Sequence, residues 1–209
     1  MITVCWAAKG GSGTTVVAAA MTIASGAPTL LIDLAGDVPA VLGIPEPDGP
    51  GVFDWLESDA SSARLNALEL RVDGRTNVLP RGRAAHVTPE RWSELATWLR
   101  GERRAIVVDA GSMGEPPSSI VRAADHALLV TRPCYLALRA AVRQQARPTG
   151  VVLVEEPGRA LRAPDIEASL GAPVVATVLL DPAIARAVDA GLLLARLPAG
   201  FRNAVRLAA

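Results

Sequence analysis

Lys9-Gly10-Gly11-Ser12-Gly13-Thr14-Thr15 is the segment whose residue types and spacing can do chemistry. Closely spaced glycines let successive backbone N–H groups turn onto an anion, and a helix starting behind them adds partial positive charge. That chemistry is phosphate binding. Thr15 stands where the hydroxyl of a phosphate loop meets Mg2+. The lysine that normally precedes this hydroxyl is replaced by Thr14, and the only lysine of the chain, Lys9, lies at the front of the loop. Two carboxylates match the loop, because Asp33 and Asp109 each close an apolar run, over residues 29–32 and 105–108. A carboxylate so placed can orient Mg2+ or its waters beside a terminal phosphate. It can equally cap the following turn, and for each aspartate both roles stand open.

These residues need elements to hold them. Six apolar, β-leaning runs cover residues 2–6, 29–32, 105–108, 127–131, 150–154 and 173–179. Helical patterns at 16–25, 89–100, 135–146 and 183–190 separate several of them. Continuous apolar strands alternating with helices predict an α/β fold: three α/β/α layers, with a mostly parallel sheet flanked by helices. Crossovers of one hand then bring the loop, Asp33 and Asp109 to the carboxyl edge of the sheet, where ligands bind in such folds. The stretch 37–104 is looser, with a turn-rich loop at 44–51, a short helix at 52–57 and a strand pair, 70–72 and 77–79, about Asp73-Gly74. All 209 residues read as a single domain, 1–209, without an internal repeat.

Half of the residues are hydrophobic and the net charge is zero, so bulk electrostatics point to neither nucleic acid nor an anionic membrane. All but one of the 21 basic residues are arginine. A lysine kept only in the loop suggests a compact ammonium where a planar guanidinium does not fit. Cys5 and Cys134 lie far apart and read as small buried hydrophobes of a reducing cytosol. His86 and His126 stand alone. No leader and no membrane span is expected, because the first strand starts at once and no apolar run is long enough without breakers.

The loop, with its displaced lysine, resembles the deviant Walker A motif KGGxGK[ST] of the ParA/MinD family of P-loop ATPases. Lys9 matches the signature lysine, which in that family reaches the phosphates of ATP held by the partner subunit of a nucleotide-sandwich dimer. Asp109-Ala110-Gly111 is similar to the family's D-x-P-A-G segment without its proline, and Glu156-Pro157-Gly158-Arg159 to an N-P-G-R segment. Asp181-Pro182, with the stretch to Gly191, resembles a late element that borders the adenine, which places Asp181 and Pro182 near the base. Asp33-Leu34-Ala35-Gly36-Asp37 brings the chain closest to the Flp/Tad pilus-assembly (CpaE/TadZ) branch and its actinobacterial septum-site-like relatives.

The resemblance implies ATP and Mg2+ as cofactors. Lys9, Gly10, Gly11, Ser12, Gly13, Thr14 and Thr15 would cradle the phosphates, while Thr15, Asp33 and Asp109 would serve the metal. Lys9, Asp33 and Asp109 would be the catalytic set. It also implies a cytoplasmic homodimer that recruits pilus or secretion machinery at a pole or septum. Two departures bear on turnover. Thr14 carries no charge against the phosphates, and Ala35 stands where the second Asp of the family's D-x-D positions water. Phosphoryl transfer rests on positioning and charge stabilisation, so hydrolysis is expected to be weak or absent while binding survives.

Other readings remain. A DNA-partitioning ATPase would use Arg139, Arg143 and Arg147, which recur every four residues as one helix face; zero net charge favours a solvated stripe there. A pseudo-ATPase scaffold would carry a vestigial pocket. A dinucleotide-binding oxidoreductase is imitated by Gly11-Ser12-Gly13 with Asp33 downstream, but Val16 takes the third glycine's place. The C-terminal segment puts Phe201, Val205 and Ala208 on one side and Arg202 and Arg206 on another, favouring a docked final helix over a membrane anchor.

Overall fold

The computed structural model describes residues 1–112 and 114–206. Its framework is one eight-stranded sheet: β1 (Ile2–Trp6), β2 (Thr29–Asp33), β3 (Leu70–Arg71), β4 (Thr76–Leu79), β5 (Ala105–Asp109), β6 (His126–Thr131), β7 (Gly150–Glu155) and β8 (Val174–Leu179). The spatial order is β3-β4-β2-β5-β1-β6-β7-β8, and every pairing is parallel except that of β3 with β4. The mostly parallel, helix-flanked α/β sheet expected from the apolar runs is what forms. β1 and β2 are buried throughout, which is why their side chains do not alternate in polarity.

Two apolar cores cover the two faces. On one, Val17, Met21 and Ala24 of α1 (Thr14–Ala24) pack with Val38 and Leu42 of α2 (Val38–Leu42). Ile184 of α8 (Pro182–Asp189), Leu193 of α9 (Leu193–Arg196) and Phe201 and Val205 of α10 (Ala199–Arg206) complete that face. On the other, Trp55 of α3 (Val52–Glu57), Leu95 and Leu99 of α4 (Pro89–Gly101) and Ile120 of α5 (Ser118–Ala123) meet Trp6, Ile32 and Val108. A smaller cluster joins Ile166 of α7 (Ala163–Leu170) to Val151 and Leu153, with Leu138 of α6 (Tyr135–Arg143) packed against it.

Four details depart from the sequence reading. The first helix begins at Thr14, two residues earlier than expected, because Gly13 at φ 88° is its N-cap. The sixth helix stops at Arg143 instead of running to 146. Gln144 is extended, its side chain accepts from Trp6 Nε1 at 3.0 Å, and the Ala146 N–H turns to Glu115. Arg147 precedes Pro148, which disfavours helical backbone at that position. Arg139, Arg143 and Arg147 therefore do not form one helix face, since Arg147 lies beyond the helix end. Cys5 is fully buried, but Cys134 is only partly so and sits at the N-cap of α6. The backbone N–H of Ala137, with help from Arg159 and Lys9, holds its thiol pKa below the usual value.

The final helix docks as expected through Phe201 and Val205, and Ala208, the last residue expected in that stripe, lies outside the described residues. Among the described residues no helix is long and apolar enough to cross a membrane.

Candidate functional site

The carboxyl ends of β1, β2 and β5 are stitched into one edge. Cα register pairs Cys5 with Asp109 and Asp33 with Asp109. Beyond the strands, Ala110 N donates to Cys5 O at 2.8 Å, Ala7 N to Gly111 O at 2.8 Å and Leu34 N to Asp109 O at 2.9 Å. The loop from Ala8 to Gly13 rises from this edge. Gly11 and Gly13 have φ of 76° and 88°, values that side-chain-bearing residues adopt only with strain. The Ser12 hydroxyl donates to Lys9 O at 2.8 Å and closes the turn on itself. Gly13 has no side chain with which to cap α1, so the first-turn amides of Thr14, Thr15 and Val16 have no intrahelical acceptor. That is a helix end prepared for an anion.

The structure puts Asp33 and Asp109 together but gives them different surroundings. Asp33 Oδ1 accepts from Ala35 N at 3.0 Å and Gly36 N at 2.6 Å, and Oδ2 from Val38 N at 3.2 Å. Its carboxylate ties down the turn into α2. Burial nevertheless raises its pKa to about 6, against the pull of those amides. Asp109 is fully buried, and Oδ1 accepts from Gly111 N at 3.0 Å. Its Oδ2 has no hydrogen-bond partner among the described residues. Burial lifts its pKa to about 7; the nearby Thr15 hydroxyl lowers it and the Asp33 charge raises it. A buried carboxylate oxygen left bare beside a hydroxyl is the donor pair a hard cation takes, so the residues present fit Mg2+.

A cleft of about 810 Å³ opens over the loop, walled by Thr14 and Thr15, by Ala35 and Asp37, and at its far side by Asp189 and Gly191. Thr14 is buried in that wall and brings no charge to it, and Ala35 contributes only a methyl group. Lys9 is exposed, close enough to Cys134 to act on its thiol, and is not among the residues that wall the cleft. Asp37 begins α2 without a side-chain capping bond, leaving its carboxylate free on the cleft wall.

A second, apolar cavity of about 260 Å³ continues from the first, sharing Gly13, Val16, Val188 and Asp189 with it. Phe201 and Ile184 line this second space, together with Asp181, whose Oδ1 accepts from Ala183 N at 2.7 Å. Pro182 opens α8 beside it.

The wall from Asp189 to Gly191 belongs to the late stretch expected to border the base, but its packing against the turn after α2 has no counterpart in the sequence reading. It is set by a backbone contact: a Cβ on Gly43 would fall 1.9 Å from Gly191 O. Two glycine helix ends touching in space leave no local pattern.

Fold and edge together define a P-loop-type α/β/α architecture with a loop whose lysine is displaced to its front. No family model matches the chain, and no curated protein does. Solved structures do. The MinC:MinD cell division protein complex of Aquifex aeolicus superposes with a TM-score of 0.80 at 22% identity, over 99% of this chain and 93% of that one. MinD of Pyrococcus horikoshii OT3, complexed with Mg-ADP, gives 0.77 at 20%, over 100% and 95%. A ParA family ATPase of Chlorobium tepidum TLS gives 0.76 at 17%, over 98% and 96%. The chain shares the fold of these proteins.

Proposed function

We propose that the chain binds Mg-ATP as a ParA/MinD-like switch or scaffold, dimerises around the nucleotide, and hydrolyses it weakly or not at all. The observation that carries this reading is the bare Oδ2 of buried Asp109, set next to Thr15 at the mouth of a glycine loop. Amides of the loop and of the first turn of α1 hold the phosphates. Thr15 and Asp109 would hold the metal, and Asp33 shapes the turn beside it. The metal held there would supply charge neutralisation at the phosphates that Thr14 cannot. The base enters the apolar cavity next to Asp181 and Pro182. A nearby structure, that of MinD with Mg-ADP, supports the nucleotide class.

Weak turnover follows from Thr14 and Ala35, neither of which can stabilise transferring charge or orient water. Asp37 lies on the cleft wall, but its carboxylate would have to serve from a position two residues beyond the family's. The exposed Lys9, which does not wall the cleft, suits a role across a two-fold axis. The whole chain acts as one nucleotide-binding domain in the cytoplasm, and its dimer recruits pilus or secretion machinery at a pole or septum. DNA is the less favoured partner, since Arg147 leaves the helix that carries Arg139 and Arg143.

Sedimentation with Mg-ATP, Mg-ADP or no nucleotide tests the switch. A dimer with ATP alone, lost in Lys9→Ala, is the expected result. One mass under all three conditions removes the switch and leaves a scaffold.

A further inference from the structure

Opposite the cleft, the turn 34–37 is held by a side chain that the nucleotide reading does not use. Arg81 follows β4, is half-buried, and donates from Nη1 to Leu34 O. Its stem crosses Gly36 so closely that a Cβ there would lie 3.0 Å from Arg81 Cδ. Its guanidinium stacks 3.9 Å over the Phe53 ring. The backbone is tied as well, because Phe53 N donates to Arg81 O at 2.9 Å and Val52 N to Pro80 O at 2.8 Å. Asp54 completes the junction by accepting from Gly51 N at 2.7 Å and Arg83 N at 3.1 Å. Phe53 in turn meets Trp92 of α4 edge-on, with centroids 5.7 Å apart.

We propose that Arg81 is a positioning residue, which sets the Ala35–Asp37 wall of the nucleotide cleft and couples its occupancy to α3. The inference rests on the nucleotide reading above. The turn has the cleft on one side, through Ala35 and Asp37, and Arg81 on the other, so whatever fixes the turn fixes Arg81. No residue of α3 lines the cleft, so an effect of nucleotide on α3 is indirect, and the Arg81 junction is the polar link between the cleft wall and that helix.

Hydrogen exchange with and without Mg-ATP, read over Val52–Glu57, tests it beside calorimetry on the same samples. In the native protein, nucleotide slows exchange in that helix severalfold. Arg81→Met abolishes the slowing and weakens Mg-ATP binding about tenfold, the scale of one lost charge-assisted hydrogen bond. Arg81→Lys, which keeps the stem over Gly36 and a cation over the ring, recovers part of both. A general loss of stability would raise exchange with and without nucleotide and leave the difference between them. The proposal is overturned if Arg81→Met keeps the native response. It is overturned equally if nucleotide binds the native protein with no change in α3. Absence of calorimetric heat in the native protein removes the nucleotide reading, and this coupling with it.

Discussion

Asp33 and Asp109 are register partners at the ends of β2 and β5, yet only one of them is satisfied. Asp33 accepts from three backbone N–H groups, whereas Asp109, fully buried, leaves Oδ2 without a partner among the described residues. Unsatisfied buried carboxylate is costly, and its presence beside a phosphate-type loop marks it as prepared for a ligand. The same pairing brings two potential negative charges together, and that has consequences for stability.

Stability of the ligand-free protein should fall as pH rises from about 4 to 7. Burial raises Asp109 from 3.8 to about 7 and Asp33 from 3.8 to about 6, so in this window the folded state holds protons the unfolded chain has released. Stability is then fully present below the unfolded value and lost as pH climbs through the folded one. Asp109→Asn should flatten most of this slope and raise stability at neutral pH by about 1–2 kcal/mol, after the orphaned amide is discounted. Thermal unfolding across pH 5 to 8 checks it, and a melting temperature that rises toward pH 7 contradicts it.

Restoring the two absent groups should restore chemistry in steps. Thr14→Lys returns a cation to the cleft wall and should tighten Mg-ATP binding roughly tenfold, without much turnover. Adding Ala35→Asp supplies a group to orient water, and the double variant should release phosphate at least about 100-fold faster than the native chain. Phosphate release from the native chain at the rate of the double variant would show that Thr14 and Ala35 are not the limiting departures.

The loop glycines should differ in their tolerance. Gly13 has φ 88° and open space around it, so Gly13→Ala meets backbone strain alone, about 1–2 kcal/mol. Gly10 lacks a positive φ, and a Cβ there would meet Ser112 Oγ at an ordinary 3.6 Å, so Gly10→Ala should change stability by less than about 0.5 kcal/mol. Urea unfolding separates the two, and equal losses would point away from the loop geometry described.

What the sequence disclosed depends on how local each cause is. Runs such as Ile106-Val107-Val108 declare buried parallel strands because both faces are apolar, and the helix-flanked α/β sheet follows from them. The placement of Asp33 and Asp109 at one edge follows from their strand-terminal positions. The occupancy of their oxygens does not, because it depends on whether the next turn folds back on the carboxylate, as Leu34 to Val38 does for Asp33. The extent of α6 is not legible in the sequence, because Gln144 and Ala146 are captured by Trp6 and Glu115, which are remote in the chain. In sequence Arg81 is one arginine among twenty, and its role depends on Gly36 and Phe53, which only the fold brings to it.

Calorimetric titration of the purified chain with Mg-ATP tests the central claim most directly. The account predicts saturable heat with one nucleotide per chain, strongly reduced by Asp109→Asn and by withholding Mg2+. No heat at millimolar nucleotide, with the protein folded, would contradict it.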